Sequence, residues 1–219
     1  MSVEAQAIVF DLDGVLVDSG GVIERRWTQW AKRHQLDPEF VLQNVHGKRF
    51  TDGIATVAPW LDAKAEAERL AQEEAQDQDA FRPCEGAIAL LNSLPNEVWA
   101  VATSSARRTA QLRLSRAGLP TPPVLTAADD VNYGKPAPDL YLMSAKCLDQ
   151  RPDRCIAFED TPAGVEAAQR AGMQTIAVTT THAREQLSHA TAVVPSLANL
   201  QLENDCFGLS LNILSAQGV

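Results

Sequence analysis

Four short apolar runs, each ending in acidic or hydroxylated residues, constrain this chain more than any other feature. Ala7-Ile-Val-Phe10 runs into Asp11, and Val98-Trp-Ala-Val-Ala102 runs into Thr103-Ser-Ser105. Cys155-Ile-Ala-Phe158 runs into Glu159-Asp160, and Gln174-Thr-Ile-Ala-Val178 into Thr179-Thr-Thr181. Helical periods lie between them, as at 107–117, ended by Gly118-Leu-Pro120, and at 163–171, ended by Gly172. Short β-rich runs alternating with helical patterns predict βα units and a parallel sheet.

The stretch from Ser19 to Arg82 breaks that rhythm. It reads as helix after helix, at 22–34, 39–43, 52–57 and 63–76, with breaks at Asp37-Pro38, His46-Gly47 and Pro59. An all-helical insert directly after the first strand predicts a small lid on an α/β core. The expected division is a core of 1–17 and 84–219 and a cap of 18–83. The insert leaves from the carboxyl end of strand one, the edge at which open α/β sheets bind ligands. The tail, Cys206-Phe-Gly-Leu-Ser-Leu-Asn-Ile-Leu214, alternates enough to predict an edge hairpin.

Composition bounds the partners. A chain of 219 residues, 45% apolar, suits one or two globular domains. No apolar run approaches the ~18–20 residues of a membrane helix, and the start lacks a basic, then greasy, secretion signal. A cytoplasmic protein with no membrane partner is expected. Nineteen Lys and Arg against 28 Asp and Glu give a net charge of −9, and the basic clusters, Arg25-Arg26 and Arg107-Arg108, are mere pairs. Nucleic acid is disfavoured as a partner. Cys84, Cys147, Cys155 and Cys206 lack C-x-x-C spacing and read as buried free thiols. His34, His46, His182 and His189 are too scattered for a histidine-built metal site.

Chemistry concentrates at the strand ends. In Phe10-Asp11-Leu12-Asp13-Gly14, two carboxylates two residues apart in extended chain point the same way, and Gly14 permits a sharp turn. A calcium loop counted from Asp11 needs Glu at its twelfth position, which here is Val22. Paired carboxylates after an apolar strand call for a compensating hard cation, and a few oxygens completed by water and phosphate describe Mg²⁺. Glu159 and Asp160 end another strand of the same sheet and can reach the same ion. Thr103-Ser104-Ser105 precede a helix, where hydroxyls and amides bind an anion. Lys135, between Gly134 and Pro136, has its backbone held on both sides.

These four segments, FDLDGVLVDS, AVATSS, YGKPAPDLY and AFEDTPAGVEAA, resemble in order the four motifs of the haloacid dehalogenase superfamily. The resemblance spans essentially the whole chain and implies a Rossmann-like, doubly wound parallel sheet with an inserted α-helical cap. Val45-His-Gly-Lys-Arg49, Asp52-Gly-Ile-Ala-Thr-Val-Ala-Pro59 and Leu94-Pro95 are similar to the glycerol-3-phosphate, 2-deoxyglucose-6-phosphate and hexitol phosphatases. The implied activity is Mg²⁺-dependent hydrolysis of a small sugar or polyol phosphate through an aspartyl-phosphate. The resemblance makes Asp11 the nucleophile and Asp13 the acid and base. It gives the metal to Asp11, the Asp13 carbonyl and Asp160, with Glu159 supporting it through water. Lys135 steadies the nucleophile, and Thr103, Ser104 and Ser105 bind phosphate oxygens.

Alternatives within the superfamily diverge at single positions. The dehalogenase branch lacks the second Asp, here Asp13. The phosphoglucomutase branch carries a cap histidine where this chain has Ile23, and the phosphonatase branch a cap lysine to which Lys48 does not align. A non-catalytic phosphate-binding member is the reading outside enzymology. In the cap, His46 and Arg49 are the expected substrate contacts and Lys48 is expected in solvent. Trp27, Trp30, Trp60 and the Leu/Ala stripe near Leu70 are expected as cap packing. Asp18 reads as a supporting acid or an N-cap. Asp129 and Asp130 read as lysine-loop partners or solvated acids, and Arg107 as facing substrate or solvent. A site completed by its own cap needs no second subunit, so a monomer is expected.

Overall fold

Strand β2 (Ala7–Phe10) runs through the middle of the molecule because all four of its side chains are buried, a burial that only a central parallel strand provides. The computed structural model describes residues 2–76, 81–205 and 208–214. Before β2 lies β1 (Ser2–Ala5), and after it β3 (Val17–Asp18). Helices α1 (Gly20–Arg33), α2 (Pro38–Val45), α3 (Phe50–Val57) and α4 (Ala63–Gln76) follow, then β4 (Arg82–Pro83). The chain continues through α5 (Ala87–Ser93), β5 (Trp99–Ala102), α6 (Arg107–Arg116), β6 (Val124–Thr126) and α7 (Asp139–Cys147). It ends through β7 (Cys155–Glu159), α8 (Pro162–Arg170), β8 (Gln174–Val178), β9 (Ala192–Val194), β10 (Leu200–Asp205) and β11 (Gly208–Ile213).

Six strands form one parallel sheet in the order β6-β5-β2-β7-β8-β9, the doubly wound, Rossmann-like arrangement. Alternate residues serve opposite faces. Ile8, Phe10, Trp99, Val101, Ile156 and Phe158 pack on α5 and α6 through Leu90, Leu91, Ala110 and Leu114. Ala7, Val9, Ala100, Ala102 and Ala157 face α7 and α8 through Leu140, Tyr141, Ala167 and Ala168. The chain steps outward from β2 to β5 and β6, then returns to β7 on the other side, so the order reverses beside β2. A crevice opens at the carboxyl ends there.

Helices α1–α4 share a core of their own, built on Trp27, Trp30, Val41, Val45, Ile54 and Leu70. The two chain passages beside this insert pair as β3 and β4. Trp60 departs from the expected packing and is 67% exposed. Asp18 is exposed in β3, and Ser19 takes the N-cap position of α1 instead.

The tail differs from the expected edge hairpin. β10 and β11 form a hairpin, but β11 pairs with β1 in a separate antiparallel sheet, which packs Val3, Leu209 and Leu211 onto the α5–α6 face. Among the cysteines, Cys155 is buried and Cys84 half-buried, whereas Cys147 at the end of α7 is exposed, contrary to expectation. Cys206 lies outside the described residues.

Candidate active site

The strand ends deliver the acids. Asp11 follows β2 directly and its amide donates to the Phe158 carbonyl of β7 at 2.9 Å, which locks the two strand ends together. The chain then doubles back, with the Gly14 amide donating to the Val17 carbonyl at 2.8 Å and Gly14 at φ +83°. A Cβ on Gly14 would lie 2.1 Å from Asp160 Oδ2, so this glycine answers both to the turn and to the neighbouring acid.

Asp11, Glu159 and Asp160 bring carboxylate oxygens within 4.8 Å of one another, all buried. Burial first, then the neighbouring carboxylates Glu159 and Asp11, push Asp160 well above the usual carboxylate range. Asp11 is pushed up to about 7 by burial, against the pull of Lys135. Asp160 Oδ2 accepts from Thr181 Oγ1 at 2.6 Å, while Oδ1 is buried with no hydrogen-bond partner among the described residues. A buried carboxylate oxygen without a donor, beside two more acids, fits a hard divalent cation.

Lys135 Nζ reaches Asp11 Oδ1 at 2.8 Å and also donates to Glu159 Oε1. Burial works against its charge, yet Asp11 and Glu159 hold its pKa above the ordinary lysine value. Glu159 is surrounded by donors. Oε1 accepts from Lys135 and the Tyr141 hydroxyl, and Oε2 from the Asp160 amide at 3.0 Å and from Thr161. These donors orient Glu159 beside Asp11 and Asp160, an arrangement compatible with the metal-supporting part expected from the sequence. Tyr141 went unmarked because on α7 it reads as one more apolar position.

A cavity of about 400 Å³ lies between the sheet edge and the insert. Asp11, Asp13, Thr103, Ser104, Ser105 and Asp160 line it from the core; His46, Lys48 and Arg49 line it from the insert. Lys135 and Glu159 are not on its wall. Lys48, expected in solvent, is half-buried there. Ile23 also faces the cavity. The Arg49 guanidinium donates to both Asp52 oxygens at 2.6 and 2.9 Å and to the Val131 carbonyl at 3.2 Å. His46 meets His182 edge to face at 5.7 Å, and His182 touches the Asp160 carbonyl at 3.1 Å. Ser104 Oγ donates to the Gly47 carbonyl at 2.9 Å, a further tie between core and insert.

Asp13 has partners that sequence reading missed. Arg113 Nη1 lies 2.7 Å from Asp13 Oδ2, and Ser105 Oγ donates to the same oxygen at 2.9 Å. Ser19 Oγ donates to Oδ1 at 2.7 Å and makes no capping bond to α1. Arg113 in turn meets Glu74 of α4. The hydroxyl run Thr179-Thr-Thr181 did carry a signal for Thr181, since it ends a fourth strand of the sheet. Arg107 lies off the cavity wall and stays partly in solvent, its guanidinium holding Asp130 at 2.6 Å and the Leu125 carbonyl at 2.8 Å and its amide donating to Asp129 at 2.8 Å. Asp129 and Asp130 therefore anchor the start of α6, not the lysine loop.

Among the described residues, no helix is long and apolar enough to cross a membrane. A family model described as a haloacid dehalogenase-like hydrolase matches residues 5–172. Hexitol phosphatase A of Escherichia coli is 39% identical over 203 residues, covering 89% of this chain and 93% of that protein. Glycerol-1-phosphate phosphohydrolase 2 of Saccharomyces cerevisiae is 34% identical over 197 residues, covering 83% of this chain and 77% of that one. The crystal structure of a hydrolase from Pseudomonas syringae superposes with a TM-score of 0.78 at 26% identity, covering 88% of this chain and 94% of that one. The fold, the acids gathered at its strand ends and these matches together make the chain a member of the haloacid dehalogenase-like hydrolases.

Proposed function

We propose that this protein is a Mg²⁺-dependent phosphatase of small sugar or polyol phosphates that works through an aspartyl-phosphate on Asp11. The observation that carries the reading is Asp11 itself: a buried carboxylate on the cavity wall, with one oxygen against Lys135 and Asp13 two residues on. Asp11 attacks phosphorus, forming an acyl phosphate on Asp11 as the bond to the alcohol oxygen breaks, and Asp13 gives that oxygen its proton. Asp13 then takes a proton from water, which attacks phosphorus, frees Asp11 and releases inorganic phosphate. The Thr103 hydroxyl and the Ser104 amide meet the phosphate oxygens, while the Ser104 and Ser105 hydroxyls, committed to the Gly47 carbonyl and to Asp13, shape the same wall. Lys135, aligned by Glu159, offsets the phosphate charge. Asp11, the Asp13 carbonyl and Asp160 would hold Mg²⁺, whose charge neutralises acids and phosphate and orients the ester.

The insert of 18–83 is proposed as a cap over a core of 1–17 and 84–219, supported by its separate apolar cluster and by the pairing of the two passages as β3 and β4. His46 and Arg49 are proposed to read the alcohol part of the substrate from the cap. The names of the curated relatives favour a polyol phosphate. The net charge of −9 supports a small-molecule partner over nucleic acid or membrane, and the reading extends to a cytoplasmic monomer.

The test is phosphate release from p-nitrophenyl phosphate and from polyol, hexose and nucleotide monophosphates, with and without Mg²⁺. Metal-dependent turnover is expected, fastest on a polyol or hexose ester, and Asp11→Asn should lower kcat at least about 10³-fold in a folded protein. No turnover with any divalent metal would favour the binding-module reading.

A further inference from the structure

We propose that Arg113 is a positioning residue for Asp13, and that Glu74 of the helical insert holds Arg113 in place for that task. The inference rests on the phosphatase reading above, since it gives Asp13 a proton to move. Arg113 lies on α6 of the core and Glu74 on α4 of the insert, and the two are 0% exposed where those helices meet. Arg113 Nε donates to Glu74 Oε1 at 2.6 Å and Nη2 donates to Oε2 at 2.8 Å. Two parallel bonds fix the plane of a guanidinium as well as its distance. That plane aims the remaining nitrogen, Nη1, at Asp13 Oδ2, 2.7 Å away, and at Ser105 Oγ, 3.0 Å away. Arg26 of α1 flanks the same acid, its Nε 3.6 Å from Glu74 Oε2.

A seam that needed only packing would use apolar side chains, because burying an ion pair gains little over a hydrophobic pair of similar size. The charged pair is instead continuous with the residue that moves the proton. Arg113 is not set to touch the reacting atoms, and it acts through Asp13. Its grip on Asp13 depends on an acid that belongs to the insert, so docking of that insert and alignment of Asp13 are one event.

The test compares an alkyl ester, glycerol phosphate, with p-nitrophenyl phosphate, whose leaving group needs little protonation. In Arg113→Lys, which keeps the charge and loses the fork, kcat for the alkyl ester should fall about 10- to 100-fold. The aryl ester should lose less than about threefold, with KM for both changed little. Glu74→Gln should show the same substrate pattern with a smaller loss, and it carries the test if Arg113→Lys does not fold. In an Asp13→Asn background neither substitution should discriminate further between the two esters. Equal losses for both esters, or an undiminished alkyl-specific loss in the Asp13→Asn background, would overturn the inference. A wild-type protein inert toward both esters would overturn the phosphatase reading instead.

Discussion

Lys135 and Gly164 show how single positions set the electrostatics of the site. Lys135 is buried between two acids, and the acids outweigh the desolvation that would otherwise neutralise it. Replacing it with alanine leaves Asp11 and Glu159 facing each other without a cation. In Lys135→Ala, kcat should fall on the order of 10²-fold or more, since a charge-stabilising donor in a dry site contributes on that scale. Steady-state phosphate release checks this, and an unchanged kcat would remove the lysine from the site. Gly164 sits in the first turn of α8, where Gly→Ala ordinarily gains helix propensity of about 1 kcal/mol. Here a Cβ would lie 1.9 Å from the Glu159 carboxyl carbon, so the overlap decides the sign. Gly164→Ala should destabilise by about 1–3 kcal/mol, the usual cost of overpacking, and thermal melting with activity will show it. A raised melting temperature with full turnover would mean that the Glu159 carboxylate can move aside. Gly164 was unreadable in advance because its constraint comes from a carboxylate folded back over the helix start. Asp11, Asp13 and Asp160 stood out through spacing and strand-end position, and Lys135 through its place between Gly134 and Pro136.

At the scale of elements, legibility followed burial. The central strands β2, β5, β7 and β8 are apolar nearly throughout and stood out as runs. β6 and β9 have three residues each, only partly buried at the sheet margins, and left too weak a pattern to read. β1 alternates exposed and buried because it belongs to the antiparallel sheet, and its partner β11 lies at the far end of the chain. Local pattern cannot supply that pairing. The junction of α4 with α6 is equally invisible, since Glu74 and Arg113 look like surface residues until the helices cross. That junction has its own energetic signature. Removing one member of a buried pair strands the other charge, whereas replacing both with apolar residues is close to neutral. Glu74→Ala strips a counter-charge from both Arg113 and Arg26 and should therefore destabilise by about 3–5 kcal/mol, while Glu74→Leu combined with Arg113→Met and Arg26→Leu should recover most of that loss. Urea unfolding of the three proteins measures it. Additive losses in the triple variant would show that packing, not charge, holds the junction.

For the whole molecule, the acids at the strand ends couple folding to pH and to metal. With no metal bound, burial raises Asp11 from 3.8 to about 7 and raises Asp160 well above the usual carboxylate range. The folded state thus binds more protons than the unfolded chain between pH ~4 and ~7, because the unfolded carboxylates have already ionised. Stability from this source is full below pH ~4 and is lost as pH rises through ~7, the opposite of the usual salt-bridged carboxylate. A divalent cation needs the ionised acids, so its binding reverses the trend where they are charged. At 100 times the dissociation constant, a ligand specific for the folded state stabilises by about 2.7 kcal/mol. In a chain of this size that raises the melting temperature by roughly 5–10 °C. Melting of protein stripped with a chelator should fall as pH rises from 5 to 7.5, and Mg²⁺ should restore it at pH 7.5 with little effect at pH 5. Asp160→Asn should abolish most of the Mg²⁺ shift and reduce the pH dependence of the stripped protein to the part that Asp11 carries, because an amide is uncharged throughout. An identical Mg²⁺ shift at both pH values, or one that survives in Asp160→Asn, would separate metal binding from the strand-end acids.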